Sequence, residues 1–275
     1  LGTVADVVPL VGENRIIVRE GLRKMTESPN VGIQALVQVA GLEGKVLSAG
    51  HIGFTLAPRL NAAGRVTHAT RAVELLITTN PAEAMDIAEE LQETNAERQQ
   101  IERAIFEEAY QSVLAQGSLA DQCIVVAGEG WHPGVIGIVA SRLVEAFYKP
   151  TMVISIHDGI GKGSCRSIDH CNMYDMLTYA GDTLIQFGGH AQAAGFSVQA
   201  EHIDALREKA SEFCRKQLTE EDYIPIVTVD GAMHSDDISI ELIDQIATLE
   251  PYGMGNSTPV FALPKIRVQN LYPMG

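Results

Sequence analysis

The stretch Phe187-Gly188-Gly189-His190-Ala191-Gln192-Ala193-Ala194-Gly195-Phe196 decides how the rest of the chain is read. Two glycines ahead of a histidine give a backbone that turns sharply and approaches a ligand closely. The histidine can then donate a hydrogen bond, bind a metal or carry a proton. Ala193, Ala194 and Gly195 have almost no side chain, so a second strand or a phosphate can come near. A bare Gly-Gly-His is a common structural turn. The ten-residue pattern is far more specific.

Outward from this stretch the chain alternates strand and helix. Cys123–Ala127 and Met152–Ile156 are apolar runs expected as strands, with a helix over Val135–Phe147 between them. Met173–Ala180 and Ile203–Leu218 are expected as further helices. Gly159-Ile160-Gly161-Lys162-Gly163-Ser164-Cys165-Arg166-Ser167 carries two cations and two hydroxyls among its glycines. It is no Walker loop. It reads either as a cradle offering backbone N–H groups to a phosphate or as a glycine-rich strand and turn. Together these pieces predict an α/β domain over 118–220.

Before it, Asn80-Pro81 with Glu83 starts a helix in capping-box fashion, and Gly117 suits its stop. A helix over 81–117 would run roughly 50 Å at 1.5 Å per residue. Its middle, Gln92–Gln100, is almost wholly polar, which marks a connector between domains. Residues 1–80 hold two expected helices, 14–27 and 33–42. Asp6 interrupts the apolar run Leu1–Leu10, either as a cap or as a ligand for a hard metal ion. In Phe54–Arg65, Pro58 and Gly64 bracket Arg59, Asn61 and Arg65. Arginine suits bidentate phosphate contact, and a solvated loop is the plainer reading. After 221, Ile224–Val229, Val260–Leu263 and Ile266–Leu271 are expected as strands and Ile238–Leu249 as a helix. So small a β unit does not close a barrel by itself.

Composition narrows the classes. The 275 residues carry a formal net charge of −15, which argues against general affinity for nucleic acid. The charge is uneven. Residues 81–117 hold nine acids against Arg98 and Arg103, and residues 230–250 hold six acids and no Lys or Arg. Residues 1–80 carry eight Lys or Arg against six acids, so a nucleic-acid groove stays open there. No apolar run suits a membrane span, and no signal segment stands at the start. Cys123, Cys165, Cys171 and Cys214 make no Cys-x-x-Cys pair, and reduced thiols in a cytoplasmic protein are expected.

The ten-residue stretch resembles the signature of the DHH-associated domain, the companion of the Asp-His-His phosphoesterase core. Leu1–Leu10, Phe54–Arg65, Glu129–Arg142, Gly161–Ser167, Gly188–Phe196 and Leu249–Phe261 together resemble the RecJ family of single-strand-specific 5′→3′ DNA exonucleases. The resemblance implies a remnant of the DHH domain over 1–80, the connector over 81–117, a DHH-associated domain over 118–220 and the start of an OB-fold over 221–275. It implies phosphodiester hydrolysis with two divalent ions, Mn²⁺ or Mg²⁺, in DNA repair and recombination. It implies Asp6 as a metal ligand and His190 at the scissile phosphate. Arg59, Ser164 and Arg166 would hold the terminal 5′ phosphate, with Asn61, Arg65, Ser167, Gly188 and Gly189 lining the site. Single-stranded DNA is the implied substrate, and a single-strand-binding protein is a partner by analogy.

Two departures from the family stand out. No Asp-His-His motif occurs in the chain, so the isolated chain is expected to lack activity. Cys165 stands where the family usually has glycine. The alternatives are a non-catalytic single-strand-binding module and another DHH-type phosphodiesterase acting on oligonucleotides or cyclic dinucleotides. The connector and Leu249–Phe261 argue against the latter. An amino-acid editing domain is a more distant alternative.

Overall fold

Helix-forming runs separated by short turns fill the N-terminal third of the computed structural model, which describes residues 1–66, 68–115, 121–267, 270 and 272. They are α1 (Gly2–Ala5), α2 (Gly12–Thr26), α3 (Val31–Val39), α4 (Ala49–His51), α5 (Ala57–Val66) and α6 (Thr70–Ile77). α7 (Pro81–Ala115) is one uninterrupted helix of 35 residues. The expected stop at Gly117 lies outside the described residues. The chain divides into two compact units. One comprises Leu1–Gly64, Ala69–Gln92 and Ile226–Gly275, the other Arg65–His68 and Glu93–Pro225.

In the first unit, Leu36, Ile52, Leu56, Leu75, Ile87 and Leu91 form a fully buried core. Asn30 caps α3, accepting from the Ile33 N–H at 2.9 Å while its amide donates to the Leu76 carbonyl at 2.9 Å. The segment read as an open loop around Arg59 is helical. A π-turn over Ile52–Leu56 runs directly into α5. Pro58 follows the π-turn directly, where the Ala57 N–H reaches back five residues to the Ile52 carbonyl, so the proline, which has no N–H to give, falls where the helix register changes.

The second unit is built on a five-stranded sheet. β1 (Ile124–Glu129), α8 (Ile136–Phe147) and β2 (Thr151–His157) form a parallel crossover unit. β3 (Ile160–Arg166), α9 (Met173–Tyr179), β4 (Leu184–Gly189), β5 (Ala193–Gln199) and α10 (Ile203–Gln217) complete it. The strand order is β1-β2-β3-β5-β4, antiparallel from β2 onward. α8 and the second half of α7 share one core with β1 and β2, through Ile105, Ala109, Val126, Val139, Leu143 and Val153. α9 and α10 share the other with Met152, Ile154, Phe196 and Val198.

The glycine-rich stretch is therefore the central strand β3. Its ladder runs to β2 on one side and β5 on the other, so its backbone N–H groups are committed to the sheet rather than to a phosphate. Its glycines answer to packing. A Cβ on Gly163 would sit 2.1 Å from the Phe196 ring. Cys165 is buried and donates to the Ala194 carbonyl at 3.2 Å. Its φ is not positive, so a side chain fits there.

A buried ion network fastens α7 to α8. Glu102 takes Arg98 at 2.5 Å and Arg142 at 3.2 Å, and the Arg142 guanidinium lies 3.8 Å over the Phe106 ring. Arg98 and Glu102 keep only 11% and 13% of their side chains exposed. Removing one partner of a buried pair strands the other charge. Glu102→Ala is expected to destabilise this unit by about 3 kcal/mol, read as a lower thermal midpoint; an unchanged midpoint would refute the clamp.

The C-terminal segment adds β6 (Gly231–Ala232), α11 (Ile240–Ala247) and β7 (Phe261–Ala262), with β6 and β7 paired parallel. The strand expected over Ile224–Val229 does not form. Ile226 and Val227 are 82% and 76% exposed, and no strand pairs with them among the described residues. An apolar run without a neighbouring strand has no ladder to join. Of the strand expected over Ile266–Leu271, Ile266 and Arg267 lie in no strand, and residues 268, 269 and 271 lie outside the described residues.

Candidate functional site

In the second unit the site is assembled at the β4–β5 turn and on the open face of β3, β5 and β4. Gly188 pairs with Gly195 and Gly189 with Ala194. Gly189 has φ +150°, and a Cβ there would lie 2.4 Å from the Ala194 Cα, so only glycine fits. The turn that follows presents His190, whose N–H donates to the Ala193 carbonyl at 2.9 Å. Two neighbouring carbonyls tie the turn down. Ala191 accepts from the Met173 N–H at 2.8 Å and Gln192 from the Ser167 N–H at 3.1 Å. The His190 side chain is exposed. Ser167 braces this loop, its hydroxyl donating to the Cys171 carbonyl at 2.5 Å.

Alternation along β3 sends Gly161, Gly163 and Cys165 into the core and Lys162, Ser164 and Arg166 to the other face. Arg166 donates to the Ser164 hydroxyl at 3.2 Å and to the Cys165 carbonyl at 2.8 Å. The first turn of α8 closes over them. A Cβ on Gly137 would lie 3.0 Å from both Arg166 Nη2 and Ser164 Oγ. That turn is itself fixed from below. Trp131 donates to Glu108 at 2.9 Å, its carbonyl takes the Ser155 hydroxyl, and the Gly134 N–H donates to His132 Nδ1 at 3.1 Å.

Arg65 reaches the same corner, donating to the Gly134 carbonyl at 3.2 Å. Burial holds the Arg166 guanidinium below its ordinary pKa, and the Arg65 charge pushes the same way. Two guanidiniums, one hydroxyl and a helix N-terminus thus converge, with the cations repelling one another. An anion between them relieves the repulsion and takes charge-assisted hydrogen bonds. A cavity of about 480 Å³ adjoins this corner, lined by Pro133, Lys162, Ser164, Gln186, Gly188 and Ser197 among others.

The first unit holds Asp6, Arg59 and Asn61. Asp6 caps the C-terminal end of α1, is exposed, and shares a cavity of about 550 Å³ with Asn61. Arg59 donates to Gln92 at 2.6 Å and to the Thr55 carbonyl, and desolvation lowers its pKa. Among the described residues no three His, Cys, Asp or Glu side chains stand together as a metal-ligand set. Asp6 is a single carboxylate, so these residues alone do not fit a two-ion centre.

Gly137, Lys162 and Gln186 belong to the site's surroundings without having been singled out from the sequence. Lys162 was visible as one of two cations in its stretch, and strand alternation would have placed it beside Ser164. Gly137 and Gln186 carry no local signal.

The DHHA1 domain family matches residues 120–216, and the RecJ OB domain family matches residues 229–275. The single-stranded-DNA-specific exonuclease RecJ of Bacillus subtilis is 42% identical over 261 residues, 94% of this chain and 33% of that protein. The chain is a relative of RecJ. The crystal structure of RecJ from Thermus thermophilus in complex with Mg²⁺ superposes with a TM-score of 0.84 at 35% identity, covering 94% of this chain and 40% of that one. The structure of the same protein with Mn²⁺ gives 0.82 at 34% identity, covering 94% and 38%. The chain thus spans about a third to two fifths of the RecJ proteins it matches here. Its α/β fold with a DHHA1 domain followed by OB-domain sequence agrees with theirs. No helix among the described residues is long and apolar enough to cross a membrane.

Proposed function

We propose that these 275 residues are the part of a RecJ-type exonuclease that grips the 5′ end of single-stranded DNA. The observation that carries this reading is the placement of Arg166 and Ser164 against the first turn of α8, with Arg65 held on the Gly134 carbonyl just ahead of that turn. Arg166 and Arg65 hold the terminal 5′ phosphate, with Ser164 completing the cradle and Ser167 bracing its loop. Gly188 keeps the floor clear, Gly189 shapes the turn beside it, and His190 meets the next phosphate, the scissile one. In the first unit Asn61 lines the path beside Asp6, and Arg59 adds a phosphate contact. A fixed terminal phosphate sets the direction of digestion as 5′→3′.

The whole protein, on this reading, hydrolyses the phosphodiester with two Mn²⁺ or Mg²⁺ ions in DNA repair and recombination, in the cytoplasm, beside a single-strand-binding protein. Asp6 supplies one carboxylate to that centre. Its domains are the C-terminal part of a DHH domain over 1–80, a connector over 81–117, a DHH-associated domain over 118–220 and the start of an OB-fold over 221–275. These 275 residues contribute binding and orientation; no step through a metal ion is assigned to them.

The test is incubation of 5′-phosphorylated single-stranded DNA with the chain and Mn²⁺, with binding measured in parallel. Binding without digestion is expected. Digestion would overturn the division of labour, and absence of binding would overturn the grip.

A further inference from the structure

The open face of the sheet continues past the phosphate corner. Its side chains fall in rows across β3, β5 and β4. Arg166 stands opposite Ala193, next to the His190 turn. Ser164 stands opposite Gly195, which pairs with Gly188. Lys162 stands opposite Ser197, which pairs with Gln186. Successive rows are about 7 Å apart, two residues of strand. The row of Lys162, Ser197 and Gln186 therefore lies roughly 13 Å from the Arg166 row, on the side away from His190.

That outer row is polar and open. Lys162 is exposed and makes no ion pair among the described residues, in a chain whose formal charge is −15. The Gln186 amide lies 3.5 Å from the Ser197 hydroxyl, so both point from one face. Across the sheet from Ser164 the floor is bare, because Gly195 and Gly188 in its row carry no side chain. The cavity of about 480 Å³ extends from Ser164 over this floor to Lys162 and Ser197. Phe187 and Phe196 pack into the core on the opposite side of the sheet, so among the described residues of β3, β4 and β5 this face carries no aromatic side chain for a base to stack on.

We propose that this outer row is a subsite for additional phosphate groups on the 5′ end, so that the chain takes a 5′-triphosphate end more tightly than a 5′-monophosphate. The proposal rests on the reading above, in which Arg166, Arg65 and Ser164 hold the terminal phosphate and the strand runs 3′-ward past His190. Whatever is joined to that phosphate on its other side then lies over the glycine floor toward Lys162. Of the groups that can be joined there, a β- or γ-phosphate matches an unpaired ammonium flanked by a hydroxyl and an amide. A further nucleoside would find donors but no stacking partner.

The experiment compares three single-stranded oligonucleotides of one sequence, ending in 5′-hydroxyl, 5′-monophosphate or 5′-triphosphate. Binding to the 275-residue chain is followed by fluorescence anisotropy in EDTA at fixed salt. The triphosphate end is expected to bind roughly tenfold tighter than the monophosphate end, as one added charge-assisted contact provides. Lys162→Ala should erase that step while leaving the step from hydroxyl to monophosphate intact, and Lys162→Arg should preserve both. Equal binding of mono- and triphosphate ends would overturn the subsite. Equal binding of hydroxyl and monophosphate ends would instead sink the terminal-phosphate reading on which it rests. Lys162 is exposed on a strand face, so neither substitution threatens folding.

Discussion

Arg166→Ala is expected to abolish most of the preference for a 5′-phosphorylated end. Arg166 is part-buried between Ser164 and the first turn of α8, and its guanidinium already spends one nitrogen, Nη1, on the Ser164 hydroxyl and the Cys165 carbonyl. That fixes the fork in place before any ligand arrives, so little side-chain entropy is lost on binding. Losing one charge-assisted contact of this kind costs about 2 kcal/mol, roughly thirtyfold in affinity. The loss should appear for phosphorylated DNA and not for DNA ending in a hydroxyl. Arg166→Lys should recover only part of it, since an ammonium lacks the planar fork. A similar loss for both ends would mean that Arg166 serves the fold or the strand as a whole, and its assigned role would fall.

The second large effect concerns the turn that presents His190. Gly189→Ala should destabilise the second unit by about 3 kcal/mol, because the added methyl meets the Ala194 backbone at 2.4 Å in a φ region closed to other residues. The adjacent glycine is the control. A Cβ on Gly188 meets nothing within 4 Å, so Gly188→Ala should change stability by less than about 1 kcal/mol. It should still weaken binding, because its methyl enters the cavity that Gly188 lines. Thermal melts and DNA binding of the pair separate the two roles. Equal stability loss in both variants would contradict this reading of the turn.

Much of the second unit was legible because its signals are local. The apolar runs at Cys123–Ala127 and Met152–Ile156 have the composition of buried strands, and Pro133-Gly134 and Pro150 punctuate them. The observed β1, α8 and β2 fall within about two residues of those runs. The glycine-rich stretch was ambiguous for a physical reason. Whether Gly161 and Gly163 serve a phosphate or a neighbour depends on Val198 and Phe196, more than thirty residues away. Only the pairing of β3 with β5 decides it. The segment around Arg59 misled because Pro58 and Gly64 are punctuation in most contexts, and here the proline is carried inside a helical stretch by the π-turn just before it. Ile224–Val229 carries strand composition, but composition supplies no partner strand. The candidate site shows the same split. His190, Ser164 and Arg166 stand in recognisable stretches, whereas the hydrogen bond that brings Arg65 to the Gly134 carbonyl, beside the turn over Arg166, is a property of the fold alone.

The most direct test of the central claim is the affinity of this chain for two single-stranded oligonucleotides that differ only in a 5′-phosphate, measured without divalent ions. The account predicts at least about tenfold tighter binding of the phosphorylated strand. It also predicts that inorganic phosphate narrows the gap by competing for Arg166 and Arg65. Equal affinity for the two strands would contradict it.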